Sequence, residues 1–286
     1  MSSDPKSPAE LKESVRKDWT GAAPLWKKWN QKSLVQSHAA TELVVKNAQL
    51  LPGMQVLDLA SGTGEPSLSL ARAVGPSGRV VATDLVPEML EGARENAQAQ
   101  GLTQMEFRVA DAEHLPFADA EFDRVTCRFG IMFFPEPHKA LREIRRVLKP
   151  AGRVSFLVWG PLEENPLFSI TLGPFLKHVQ LPPPPPDAPG VFRFADPAKL
   201  AAVFTAAGFR EVATAKHTVP WPWKGTVEDA WESISERAAP FKKLIAALPA
   251  EKKPEVMREV FEGLRRCQQG DTITLTATLI SVTAAV

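Results

Sequence analysis

The chain has 286 residues, and its 44% hydrophobic and 23% charged residues are ordinary values for a globular protein. Its 34 Lys and Arg residues nearly balance its 33 Asp and Glu residues, so charge gives no argument for a nucleic-acid partner or a membrane surface. Cys127 and Cys267 lie far apart in the chain, which argues against a disulfide framework and against a cysteine-based metal site. Without a secretory signal pattern or a membrane-spanning apolar run, we expect a cytoplasmic protein.

From residue 54 onward, apolar runs typical of strands alternate with helical patterns. Helices are predicted to begin near Pro66, Pro87 and Pro137, because proline suits the first helical turn. Strands are predicted over residues 54–59, 79–83, 105–110, 122–127 and 153–159. This alternation predicts βαβ units and therefore a doubly wound, mostly parallel sheet.

The alternation breaks after residue 159. The run Pro182–Pro186 predicts a stiff polyproline connector, and Asp196 with Pro197 predicts the capped start of a further helix. Strands are expected over residues 210–219 and 272–283. We divide the chain into an N-terminal helical cap, an α/β core, a helical insertion or lid and a final core strand. These segments cover residues 1–50, 51–220, 221–270 and 271–286.

A glycine turn follows the first predicted strand, in the order Asp58, Leu59, Ala60, Ser61, Gly62, Thr63, Gly64. A strand that ends in such a turn at a helix N-terminus lets a ligand approach the backbone, where free N–H groups favour an anion. The dinucleotide fingerprint fails here because its third glycine is replaced by Ser67, and no P-loop lysine follows.

Two acidic residues lie at the ends of the next two strands. Asp84 follows strand two, 22 residues after Gly62, where a carboxylate accepts hydrogen bonds from ribose hydroxyls. Asp111 follows strand three, where an adenine edge would lie. Because parallel sheets bind ligands at the carboxyl ends of their strands, these acids and the glycine turn predict one nucleotide-type site.

Four segments resemble the successive motifs of class I S-adenosylmethionine (SAM)-dependent methyltransferases, in order and spacing. They are VLDLASGTGEPSLSLA, VVATDLVPEML, FRVADAEHLPF and FDRVTCRFGIMFFPEPHKALREIRRVLKPAGRV. The resemblance is greatest to the group that contains the ubiquinone/menaquinone C-methyltransferases. It implies a Rossmann-like, seven-stranded sheet of order 3-2-1-4-5-7-6 with an antiparallel last strand, a SAM-binding core at residues 51–220, and helical lid elements.

The resemblance also implies a role for each matching residue. The turn would face the methionine part of SAM, Asp84 would hold the ribose, and the strand-four exit would lie near the sulfonium. The implied cofactor-binding residues are Ala60, Ser61, Gly62, Gly64, Asp84, Leu85, Met89, Asp111, Ala112, Cys127 and Arg128. Trp26 is added to them as an aromatic residue of the N-terminal lid that could approach SAM. Ala60 departs from the family pattern, which usually has glycine there. The Asp/Asn-Pro-Pro-Tyr motif of base-amino methyltransferases is absent, which argues against nucleic-acid bases as substrates.

Methyl transfer from a sulfonium needs an in-line attack, and it needs a base only when the acceptor arrives protonated. His38, in the N-terminal helices, is the candidate for such a base. The aromatic residues of the lid segments suggest a small apolar or aromatic acceptor. We expect a site without metal. A nucleotide-binding oxidoreductase of the NAD type and a non-catalytic SAM-binding subunit are the alternatives. The acceptor atom and the oligomeric state stay open.

Overall fold

A single mixed sheet forms the centre of the computed structural model, which describes residues 7–180, 185, 187–237 and 239–286, without the side chains of 239–241. Its strands run in the order β3-β2-β1-β4-β5-β8-β6, and the two-residue β7 pairs with β8 beside this path. The strands are β1 (Gln55–Leu59), β2 (Arg79–Asp84), β3 (Met105–Val109), β4 (Phe122–Arg128), β5 (Leu148–Trp159), β6 (Arg210–Lys224), β7 (Gln268–Gln269) and β8 (Thr272–Ala285). The first five are parallel, and β8 is antiparallel to both its long neighbours, so the predicted order and direction are confirmed.

Helices precede the sheet and cover both of its faces. They are α1 (Pro8–Lys28), α2 (Asn30–Gln36), α3 (His38–Ala48), α4 (Ser67–Val74), α5 (Pro87–Ala99), α6 (Pro137–Val147), α7 (Pro166–Leu176), α8 (Pro197–Ala206), α9 (Val227–Arg237), α10 (Ala239–Ala247) and α11 (Lys253–Arg266). Proline occupies the first turn of α5, α6 and α8, as predicted. Asp196 caps α8 by accepting a hydrogen bond from the Ala198 N–H at 2.8 Å.

The core is divided between the two faces of the sheet because side chains alternate along each strand. Val56 packs on one face with Leu68 and Leu70 of α4. Leu57, the next residue, packs on the other face with Leu141 and other buried residues of α6. A sheet buried on both faces explains why the central strands read as continuous apolar runs.

The last third of the chain departs from the predicted bounds. Strand β6 continues to Lys224, so the helical stretch predicted from residue 221 begins at Val227. Helix α7 lies between the predicted strand ending at residue 159 and the polyproline run, where no helix was predicted. Of the predicted polyproline run, Pro182–Pro184 and Pro186 lie outside the described residues. Within the described ranges, no helix has the length and apolar character needed to cross a membrane.

Candidate functional site

A cavity of about 170 Å³, open to solvent at its mouth, lies over the carboxyl ends of β1, β2, β3 and β4. Helices α1 and α2 cover it from the other side with Lys12, Val15, Arg16, Trp19, Trp26, Asn30, Ser33 and Leu34. Most of the predicted cofactor-binding residues share this wall, although the chain separates them by up to 102 positions. They are Trp26, Ala60, Ser61, Gly62, Asp84, Leu85, Met89, Asp111, Ala112 and Arg128.

The glycine turn has left-handed backbone at two residues of the cavity floor, on either side of Ser61. Ala60 has φ +52° and Gly62 has φ +54°, which explains why glycine suits position 60 in related sequences. A Cβ built on Gly62 would meet no atom within 4 Å, so the space beside it is open to a ligand. Gly64 lies behind the turn, where a Cβ would come within 3.0 Å of Leu68. Gly64 therefore serves the packing of α4 and is not part of the cavity wall.

Asp84 joins the end of β2 to the glycine turn. Its Oδ2 accepts a hydrogen bond from the Gly62 N–H at 2.9 Å, and its Oδ1 accepts one from the Val86 N–H at 3.0 Å. Burial raises the pKa of Asp84 to about 6, against the lowering effect of these backbone donors. The side chain is therefore mainly ionised at neutral pH, with lone pairs left to accept from a ligand.

Asp58 is fully buried beneath the turn, where it organises neighbouring elements. It accepts hydrogen bonds from the Thr126 hydroxyl at 2.6 Å and from the Ser67 hydroxyl. Burial raises its pKa to about 7. Ser67 thus uses the position of the missing third fingerprint glycine to bind a buried carboxyl group, which is a physical reason for this departure from a dinucleotide site.

Asp111 is bound by a residue that the sequence analysis missed. Lys12 of α1 pairs with Asp111 at 2.6 Å and with Glu113 at 2.5 Å, and the Glu113 side chain is only 1% exposed. Burial acts to raise the pKa of Asp111, but the bond from Lys12 and the Glu113 N–H outweigh it and lower that pKa. The helix α1 is therefore held over the cavity by an ion pair to its floor.

The exit of β4 places two predicted residues in different surroundings. Arg128 lines the cavity and donates to the Ser37 and Thr41 hydroxyls, both at 2.8 Å. Cys127 points into the core and is fully buried, so its side chain does not reach the cavity wall. Burial raises the pKa of the Cys127 thiol, as expected for a packing residue.

His38 lies outside the cavity. Its side chain is 70% exposed and faces Glu42 on the same helix at 3.3 Å, because its position on α3 points away from the sheet. The structure gives it no place in the candidate site, and none of the described histidines lines the cavity. The described residues also contain no group of three or more His, Cys, Asp or Glu placed to hold a metal.

A helical period in the first 40 residues marks the covering face. Lys12, Trp19 and Trp26 follow at intervals of seven, and Asn30 and Ser33 continue the same stripe into α2. Asn30 accepts a hydrogen bond from the Thr63 hydroxyl at 2.9 Å, which ties this stripe to the glycine turn. This mixed polar and aromatic periodicity is the signal that could have predicted Lys12 and Asn30 as site residues.

Comparison with known proteins agrees with this arrangement. A family model described as the ubiE/COQ5 methyltransferase family matches residues 27–182, more than half of the chain and all five parallel strands. The chain belongs to the ubiE/COQ5 methyltransferase family. The predicted relationship to class I methyltransferases is thereby confirmed.

Curated relatives in this family match the central part of the chain. The ubiquinone/menaquinone biosynthesis C-methyltransferase UbiE of Burkholderia cenocepacia is 40% identical over 137 residues, which cover 46% of this chain and 56% of that protein. The corresponding protein of Ralstonia pickettii is 41% identical over 124 residues, which cover 42% and 51%. The chain therefore matches about half the length of these relatives.

Solved structures share the fold over a longer stretch. The YcgJ protein of Bacillus subtilis is 24% identical, with a TM-score of 0.55 over 87% of this chain and 98% of that one. Phosphoethanolamine N-methyltransferase 2 of Haemonchus contortus, solved with S-adenosyl-L-methionine, is 16% identical, with a TM-score of 0.51 over 90% and 52%. At these identities the two similarities show the common fold.

Proposed function

We propose that this chain is a SAM-dependent methyltransferase that acts on a small molecule with an apolar or aromatic body. The observation that carries the proposal is the meeting of the glycine turn, Asp84 and Asp111 at one cavity. The carboxylate of Asp84 suits ribose hydroxyls, and Asp111 lies where an adenine edge would be read. Membership in a methyltransferase family supports the same activity.

Unpaired polar atoms on the cavity wall support the fit of this cofactor. The Trp26 Nε1, Ser61 Oγ and Arg128 Nε atoms are buried and have no hydrogen-bond partner. Such atoms are costly unless a ligand pairs with them. The open space beside Gly62 adds room for the ligand's close approach to the backbone.

The residues of the chain would contribute orientation and exclusion of water. When bound, SAM supplies a methyl group on a sulfonium that leaves as a neutral thioether. Trp19 packs edge-on against Phe133 at 5.3 Å, which joins α1 to the loop after β4 and closes one side of the cavity. Holding the acceptor in line behind such a wall supplies much of the rate without an acid or base.

Calorimetric titration with S-adenosylhomocysteine (SAH) tests the cofactor site. Asp84→Ala should weaken binding by roughly 1–3 kcal/mol, because hydroxyl groups lose their acceptor. Asp119→Ala is the matched control, because Asp119 is 78% exposed, pairs with Arg146 and does not line the cavity. Unchanged affinity in Asp84→Ala, or binding of NAD in place of SAH, would contradict the proposed site.

A screen of phenols, quinol precursors, amines and thiols for SAH release tests the transfer itself. Turnover with at least one ring-bearing or apolar acceptor is expected. SAH binding without turnover on any class would contradict the proposed activity and favour the non-catalytic SAM-binding subunit.

A further inference from the structure

Arg128 is a partly buried cation on the cavity wall, and none of its hydrogen bonds in the described structure goes to a carboxylate. Its guanidinium donates to the Ser37 and Thr41 hydroxyls and, at 2.9 Å, to the Glu65 carbonyl. All three acceptors are neutral. Burial lowers the pKa of Arg128, which is the direction expected for a guanidinium without a close counter-ion.

The nearest acids are engaged elsewhere. The Glu65 carboxylate pairs with Arg72 at 3.0 Å, and Asp58 accepts from the hydroxyls of Ser67 and Thr126. Within the described ranges, no carboxylate lies in ion-pair distance of Arg128. Its Nε atom, moreover, is buried and has no acceptor at all. An anion in the cavity would supply both the missing charge and the missing acceptor.

The sheet order places Arg128 at a useful distance from Asp84. Strand β1 lies between β2, which ends at Asp84, and β4, which ends at Arg128. Two strand spacings separate these ends by roughly 10 Å, with the glycine turn between them. A ligand with a ribose at one end and an amino-acid carboxylate at the other has this spacing of groups.

We propose that the Arg128 side chain binds the α-carboxylate at the amino-acid end of the cofactor. The inference rests on the proposed function, and it assigns the third anchor of the ligand after the ribose and adenine anchors. A planar guanidinium presents its donors in a fork that matches a carboxylate, so a lysine at this position would replace it only in part.

If Arg128 had a purely structural role, its replacement would weaken the binding of both probes described below. Arg128 also joins the Ser37 and Thr41 region to the turn after β1, so its loss could disturb the whole cavity. Arg124, four residues earlier on the same side of β4, is a comparable strut: its Nε donates to the Ala48 carbonyl at 2.6 Å, and it does not line the cavity. Arg124→Met is therefore the matched control.

The test compares two probes on the same protein, SAH and 5′-methylthioadenosine, which lacks the amino-acid end. By calorimetry, Arg128→Met should weaken SAH binding roughly 10- to 100-fold, since a bond to a charged group is lost. Binding of 5′-methylthioadenosine should change by less than about 3-fold, and Arg128→Lys should lose less SAH affinity than Arg128→Met. Arg124→Met should alter neither affinity.

Both probes are measured on each variant. A general disturbance of the cavity weakens the binding of both probes, whereas loss of a contact to the amino-acid end weakens only the binding of SAH. An equal loss for both probes, or no loss for either, would overturn the assignment. A loss confined to turnover on acidic acceptors, with SAH affinity unchanged, would also overturn it and move the anion to the acceptor. If the parent protein binds neither probe, the proposed function itself fails.

Discussion

Three acids near the cavity differ in protonation because their surroundings differ. Burial raises the pKa of Asp84 to about 6 and that of Asp58 to about 7, whereas Lys12 lowers that of Asp111. At neutral pH, Asp84 and Asp111 are therefore ionised, and Asp58 is close to half protonated. The ends of β2 and β3 thus bring two carboxylates to the cavity wall, one of them paired with Lys12, and the end of β4 brings the guanidinium of Arg128.

Asp58 should make folding stability depend on pH. Its folded-state pKa is raised, so its contribution is fully present below its unfolded pKa and is lost as pH rises through about 7. Asp58→Asn removes this loss. The free energy of unfolding of Asp58→Asn, measured in urea relative to the parent, should rise by up to about 4 kcal/mol between roughly pH 4 and pH 8.

Asp123→Asn is the control, because the contribution of Asp123 to folding stability should change with pH in the opposite direction. Asp123 pairs with Lys149 at 2.9 Å and its pKa is lowered, so its contribution is present above the unfolded pKa and is lost on acidification. A flat difference between Asp58→Asn and the parent across this pH range would contradict the buried, partly protonated carboxyl group.

Alanine variants at Gly62 and Gly101 distinguish the cost of backbone strain from the loss of ligand contact. Both have left-handed φ values, +54° and +66°, and a Cβ on either would meet no atom within 4 Å. Alanine should therefore cost each site a similar stability, about 1 kcal/mol. Only Gly62→Ala should weaken SAH binding in calorimetry, because Gly62 alone lines the cavity. Equal SAH affinities in the two variants would show that the space beside Gly62 is not used by the ligand.

At the scale of elements, the two halves of α1 are held differently. The buried residues of α1 are Ala22 and Ala23 in its second half. The part before Ala22 is held by the pairs of Lys12 with Asp111 and Glu113 and by the contact of Trp19 with Phe133. Few buried apolar contacts and a polar latch are features of a segment that opens locally.

Hydrogen exchange should detect this opening. Amide protection in residues 11–20 should rise when SAH is added, because the ligand fills the space beneath the helix and favours its closed position. Amides of α11, which lies away from the cavity, should keep the same protection. Equal protection of residues 11–20 with and without SAH would mean that the first half of α1 is permanently docked.

Most core strands were predictable because apolar runs and glycine or proline punctuation agree there. The end of β6 at Lys224 was not predictable, because Pro220 and Pro222 are residues that usually end a strand. Strand β6 lies at the sheet edge, where a missing N–H removes no ladder bond, while Val219, Trp221 and Trp223 alternate into the core. Edge position is a property of the whole topology, so local sequence could not supply it.

The site residues also divide into those with a local sequence signal and those that only the fold brings together. Asp84 and Gly62 follow from strand ends and spacing, which are local signals. Lys12 and Asp111 are 99 positions apart and meet only because the fold places α1 over the carboxyl ends of the strands. For His38, the sequence predicts a helix but not which face of that helix points to the cavity. The preceding residue, Ser37, does line the cavity.

At the scale of the whole molecule, α9 binds the N-terminal helices to the C-terminal part of the fold. Lys28 pairs with Glu232 and Glu236, and Trp29 donates its Nε1 to Glu236 at 2.7 Å. Arg237 donates to Ser33 and lies 4.9 Å above the Trp26 ring. The cavity cover is thus fastened to an element that precedes the last two strands.

Two glutamates on α9 should differ in their importance to this fastening. Glu236→Ala should lower the free energy of unfolding by about 1–2 kcal/mol, because it leaves the buried Trp29 donor unpaired. Glu232→Ala should cost no more than about 0.5 kcal/mol, since its pair with Lys28 is half exposed. Urea denaturation of both variants gives the comparison, and equal losses would assign the fastening to surface charge alone.

The two indole rings over the cavity give the protein an optical reporter. The chain has seven tryptophans and no tyrosine, so its near-ultraviolet emission comes almost entirely from indole. Trp19 and Trp26 lie with Met89 on the cavity wall, where the purine of the proposed cofactor would alter their emission. SAH should therefore change the intrinsic fluorescence of the parent, and the change should be lost in Trp19→Phe/Trp26→Phe. It should persist in Trp231→Phe, because Trp231 stacks on Phe175 away from the cavity. An unchanged spectrum at saturating SAH would contradict a purine site under these rings.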